Sequence, residues 1–109
     1  MKKNCLLLSL VLSLISLPSF ANRIYVDSAN VNGIQNGTSW ATAFASFQAG
    51  IDAAQAGDSV WVAKGIYLPG VGYSFVMKDS VKLLGGFLNT HTDINERNWD
   101  VHTTTLKGS

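Results

Sequence analysis

TSWATAFASFQAGIDAAQAGDSVWVAKGIY, residues 38–67, decides how the 109-residue chain is read. Phe44, Phe47, Ile51 and Ala54 follow one another at spacings of three, four and three, which places them on one face of a helix turning every ~3.6 residues. The spacing predicts a short amphipathic helix over Ala45–Ala54, with Gln48, Asp52 and Gln55 on the solvated face. Thr42 and Ser46 are both candidate N-caps, since either hydroxyl can accept from an orphan N–H of the first turn. Gly50 inside the helix costs about 1 kcal/mol relative to Ala, so packing must hold this segment together. Gly57 stands where a left-handed residue would end the helix, with Asp58 as the turn residue after it. Val60 and Val62 then alternate with Trp61 and Ala63, the mark of a strand whose two faces meet different surroundings. Nothing in the stretch is catalytic chemistry.

Working outward, residues 1–21 form a unit of a different kind. Lys2 and Lys3 precede an apolar run from Leu6 to Leu17, and Pro18 is followed by Ser19-Phe20-Ala21, with small residues at the −3 and −1 positions of a cleavage site. This is the pattern of a secretory signal peptide. The apolar run is about twelve residues, short of the ~20 that span a bilayer, which argues against a membrane anchor. Cys5 is the single cysteine and lies within this leader, so residues 22–109 are expected to fold with no disulfide. The full chain carries a formal charge of +1. Residues 22–109 carry six basic side chains against seven acidic ones, a formal −1, and no basic patch that would suit nucleic acid.

After the leader, Arg23-Ile24-Tyr25-Val26-Asp27 alternates like a short strand, and Ser28–Ser39 is an Asn, Gly and Ser-rich loop with Asn-Gly turns at 32–33 and 36–37. Asn36-Gly37-Thr38 also fits a glycosylation sequon, but the turn explains it more simply. Asp58-Ser59-Val60-Trp61-Val62 recurs as Asp79-Ser80-Val81-Lys82-Leu83 at a shift of 21, and Thr103-Thr104-Thr105-Leu106-Lys107-Gly108 is a weaker third copy. Strands recurring every ~20–25 residues suggest stacked solenoid coils, whose open end must be capped. The helix before the first repeat is placed to do so, laying Phe44, Phe47 and Ile51 over Val60 and Val62.

NGTSWATAF, FQAGIDAAQAGDSVWVAKGIY, VKLLGGF and ERNWDVHTTTLKGS together resemble the N-terminal part of secreted right-handed parallel β-helix proteins of the pectin-lyase-like kind. The resemblance implies a mainly β fold in which 22–109 form an N-terminal capping segment and the first two or three coils, with further coils of the same chain beyond Ser109. It specifies no activity, because fold alone does not supply function. The family's active sites lie on later coils, so no catalytic residue carries over. Three functions stay open. One is an exported extracellular or cell-surface module with a structural or adhesive role. Another is the front of a polysaccharide lyase or hydrolase whose active site lies beyond this chain. The third is a glycan-binding module.

Candidate sites within the chain are sparse. His91, Asp93, Glu96, Asp100 and His102 crowd one segment, but their spacing matches neither a helical His pair, nor a zinc finger, nor a calcium loop. A solvated loop ordered by Asp93 or Asn95 accounts for them, with Arg97 packed on an aromatic ring or a carboxylate. Asp58 and Asp79 hold equivalent repeat positions and would resemble a glycosidase pair if stacked, yet both are turn residues first. Of the tryptophans and tyrosines, Trp40 is expected to wedge beside the helix, and Trp61 and Tyr73 are the two free enough to stack on a polysaccharide or cell-surface glycan. No metal, cofactor or nucleic acid is expected.

Overall fold

The computed structural model describes residues 21–70 and 72–108. The leader lies outside the described residues except for Ala21. Among the described residues, five short strands and one helix are arranged as β1 (Arg23–Val26), α1 (Phe47–Ala53), β2 (Ser59–Ala63), β3 (Gly65–Tyr67), β4 (Lys82–Phe87) and β5 (Thr104–Leu106), with a 3-10 turn at Ile94–Glu96. β1, β2 and β4 form one parallel sheet with β2 in the middle, and β3 and β5 form a second, two-stranded parallel sheet. The fold is mainly β. Among the described residues no helix is long and apolar enough to cross a membrane.

The core forms where two periodicities meet. Ile24 and Val26 of β1 and Val60 and Val62 of β2 point to the same side of the sheet and bury against Phe47 and Ile51 of α1 and Ala54 just after it, with Tyr67 closing the group. Gly50 faces this sheet, and a Cβ there would overlap Val26 Cγ2. The helix therefore lies against β1 at a distance only glycine allows, which is the reason a poor helix former sits in its middle.

Several expectations are corrected here. The helix begins at Phe47, capped by Ser46, whose hydroxyl accepts from Ala49 N at 3.2 Å. Phe44 is outside the helix; it is extended and bridges Val26 in parallel, with Phe44 N donating to Tyr25 O and Asp27 N donating to Phe44 O. Three-residue spacing to Phe47 could not separate these two placements. Ala54 leaves the helix in an extended conformation, so Gly57 does not end it. Gly57 is left-handed, at φ 93°, but within the following turn, where its N–H bonds Ser80 O. Gln48 is not idle on a solvated face. It grips the backbone of Val76 at both ends, with Val76 N donating to Gln48 Oε1 at 2.8 Å and Gln48 Nε2 donating to Val76 O at 3.0 Å.

The solenoid is not formed. The described residues make two separate small sheets around one core, so Phe44, Phe47, Ile51 and Gly57 do not cap a stack of coils. The 21-residue repeat is also not the pairing register. Ser59 lies opposite Lys82, 23 residues on, because Asp79-Ser80 occupies a turn with Ser80 at φ 62° and the strand starts two residues later. The third copy pairs with β3 instead of β4. Its Thr104 Oγ1 fastens the two sheets together, accepting from Gly86 N at 3.0 Å and lying 3.2 Å from both Val62 O and Ala63 O.

Candidate functional site

The outer face of the three-stranded sheet is covered by aromatic rings. Trp61 stacks on Phe87 at 4.2 Å, with planes 10° apart, and the Arg23 guanidinium lies 3.7 Å from the centre of the same indole. Two groups this close to the ring centre occupy opposite faces of it. Tyr25 adds an edge contact at 6.0 Å, and Trp61 is left 2 % exposed, with no ring face for a sugar. Tyr73 is at the surface, 71 % exposed, on the segment that Phe75 and Val76 anchor to the helix side. The structure therefore does not bring Trp61 and Tyr73 into one surface. Trp40 does not wedge beside the helix. It lies across the outer face, edge-on to Tyr25 at 4.7 Å, and its indole N–H donates to His91 O at 2.8 Å.

That last bond anchors the loop between β4 and β5, residues 88–103, which holds His91, Asp93, Glu96, Asp100 and His102. Asp93 and Glu96 are consumed by a capping box: Asn95 N donates to Asp93 Oδ1, while Thr92 N and Asp93 N both donate to Glu96 Oε1 at 2.9 Å. Those two backbone N–H groups hold the Glu96 carboxyl below its ordinary range. His91 Nδ1 accepts from Leu88 N at 3.0 Å, and its ring stands 5.5 Å from His102. No group of three or more metal-ligating side chains converges among the described residues. Asp58 is tied to the backbone, with Asn22 N and Gln55 N each donating to one of its oxygens at 2.8 Å.

The second half of the loop is clamped to the backbone of β4. Arg97 Nε donates to Gly85 O at 2.9 Å and Asn98 N to Gly86 O at 2.8 Å. The Gly85-Gly86 pair accompanies a register shift between Trp61 and Ala63, and a Cβ on Gly86 would come within 2.9 Å of Trp99 N. Asn98 then organises the next turn: its Oδ1 accepts from Asp100 N and Val101 N, and its carbonyl from His102 N at 2.7 Å. Between these anchors Trp99 projects outward, 63 % exposed, with the Arg97 guanidinium 5.2 Å from its ring and Val101 exposed beside it in sequence. Fixed backbone and an exposed indole coincide here.

The chain matches no protein-family model, no curated protein and no solved structure. The resemblance to secreted β-helix proteins of the pectin-lyase-like kind is therefore withdrawn: no family match carries it, and the strands form two small sheets where coils were expected. The repeats that suggested it are turn signals, Asp-Ser before a strand, which many parallel-sheet connections share. The exposure of Trp99 is not legible in the strand pattern of the sequence, because alternation along a strand separates two faces without showing which one a distant segment covers. Trp40, from another part of the chain, packs on the Tyr25 and Phe87 rings that cover Trp61, and among the described residues Trp99 stays 63 % exposed. The exposed ring in a polar segment dense with turn formers, NERNWDVH, is the signal that could have found it.

Proposed function

We propose that this chain is an exported extracellular module with a structural or adhesive role, and that it meets glycans through the 88–103 loop. The leader pattern of residues 1–21 supports export. The observation that carries the contact surface is the exposed Trp99 indole on a backbone pinned at Gly85, Gly86 and Asn98. An aromatic ring held in place offers an apolar face to the C–H side of a sugar with little ordering cost, while Asp100 and the Arg97 guanidinium provide polar partners nearby in sequence. Trp40 and Trp61 are engaged in packing, so a glycan-dependent change in tryptophan emission reports on Trp99. Titration with neutral and acidic polysaccharides should shift that emission, and Trp99→Ala should abolish both shift and retention on the polysaccharide. Absence of binding across the panel, or undiminished binding by Trp99→Ala, refutes the reading.

A further inference from the structure

We propose that removal of the leader creates an internal ion pair: hydrolysis of the Ala21–Asn22 bond frees the Asn22 α-amino group beside the Asp58 carboxylate, and the pair fastens β1 into the sheet. The geometry is already in place. Asn22 N lies 2.8 Å from Asp58 Oδ1, and Gln55 N holds the other carboxylate oxygen at 2.8 Å. The carbonyl of Asn22 accepts from Ser59 N at 3.0 Å, so residue 22 is fixed from both its ends at the start of the β1–β2 pairing. Asp58 is 4 % exposed, whereas Ala21 and Asn22 are exposed, which leaves the bond to be cut accessible.

The site has room for the product. A cleft of about 450 Å³ opens at this corner, lined among others by Arg23, Asn36, Thr38, Gln55 and Asp58. An amide brings one proton to the carboxylate and an ammonium brings three; the additional two face this polar cleft. The charged side chains lining it are Asp58 and Arg23, and Arg23 is engaged by the Trp61 ring and by the Tyr25 hydroxyl at 3.3 Å. The backbone N–H groups of Asn22 and Gln55 keep the Asp58 carboxyl below its ordinary range, so it is ionised when the amine appears.

The step balances with water alone. A signal peptidase adds water across the peptide bond; Ala21 departs with the carboxylate, and Asn22 retains the amine, which takes up a proton at neutral pH. A neutral N–H···O⁻ bond becomes a charged N⁺–H···O⁻ bond, roughly twice as strong. The proposal rests on the export reading and is independent of the Trp99 surface.

The test begins with the full chain expressed with its leader and exported. Terminal sequencing of the product should start at Asn22. On that product the α-amino pKa, followed by NMR or by pH-dependent acylation, should lie at least about one unit above the ordinary ~7.7–8.0, which makes acylation roughly four- to sixfold slower near pH 8. Asp58→Asn should return it to the ordinary range. A form retaining Ala21 should unfold at lower urea than the Asn22 form, and that gap should close in Asp58→Asn. Retention of the uncut Met1 chain in the membrane overturns the export reading and the pair together, and an exported product starting elsewhere overturns the pair alone. A product starting at Asn22 with an ordinary α-amino pKa overturns the pair alone, a result wild-type protein supplies even if Asp58→Asn fails to fold.

Discussion

Gly50→Ala is a perturbation whose sign separates helix propensity from packing. In an exposed helix the change gains about 1 kcal/mol. Here the new methyl would overlap Val26 Cγ2 and sit 3.6 Å from Val60 Cγ1, both on residues with no solvent exposure. Val26 cannot swing away cheaply, since its branched side chain is confined at χ1 and its backbone is held between β2 and Phe44. Overpacking of this kind costs about 1–3 kcal/mol. The overlap is severe enough to place Gly50→Ala near the upper end, so the net loss after the propensity gain should be about 1–2 kcal/mol. Urea denaturation followed by circular dichroism would read it as a lower midpoint at unchanged slope. The companion measurement uses Val26→Ala as background: with the obstructing methyl removed, Gly50→Ala should turn stabilising by as much as about 1 kcal/mol. If Gly50→Ala stabilises the otherwise wild-type chain, the helix does not approach β1 as described and the account of the core is wrong.

Phe47→Ala removes a buried ring in contact with Tyr67 and Phe75, and should cost about 3–5 kcal/mol by the same urea assay. Gln48→Ala, which loses two hydrogen bonds to Val76, should cost about 1 kcal/mol and selectively raise amide exchange in residues 72–78. Thr104→Val leaves Gly86 N without its acceptor and should cost about 1–3 kcal/mol, against a near-neutral Thr105→Val on the exposed side of the same strand. The lowered Asp58 pKa means that its contribution is complete above the unfolded carboxylate value of ~3.9 and fades as pH falls through the folded value; Asp58→Asn should flatten the acid limb of a midpoint-against-pH curve. Burial raises the Tyr67 hydroxyl, so stability should fall as pH rises above ~10, and Tyr67→Phe should remove that alkaline dependence.

Where the sequence was legible, one short segment carried the whole signal. Val60 and Val62 alternate as a strand, Phe47 and Ile51 share a helical face, and Ser46 caps the helix that they define. Illegible features depend on residues far apart. Phe44 pairs with β1 although its spacing suits the helix. The register of β4 is set by a left-handed Ser80 that an Asp-Ser repeat conceals, and the partner of β5 by the reach of Thr104 into the neighbouring sheet. The candidate site follows the same division. Turn chemistry in the 88–103 loop was visible, with Asp93 or Asn95 expected to order it, but the burial of Trp61 depends on Arg23 and Tyr25 of β1 and Phe87 of β4 arriving from either side.

The strand pairing also dictates how this chain must fold. Arg23 finds Ser59 across 36 residues, Ser59 finds Lys82 across 23, and Gly65 finds Thr104 across 39. All three pairings are parallel, so no hairpin can nucleate them locally. The seven-residue helix is too short to persist alone in water. With every sheet contact waiting on the closure of a long loop, the domain belongs among slow folders, on the order of milliseconds to seconds. A chain with no local seed stays extended until those loops close, and β1 has no partner strand until Ser59–Ala63 has been made.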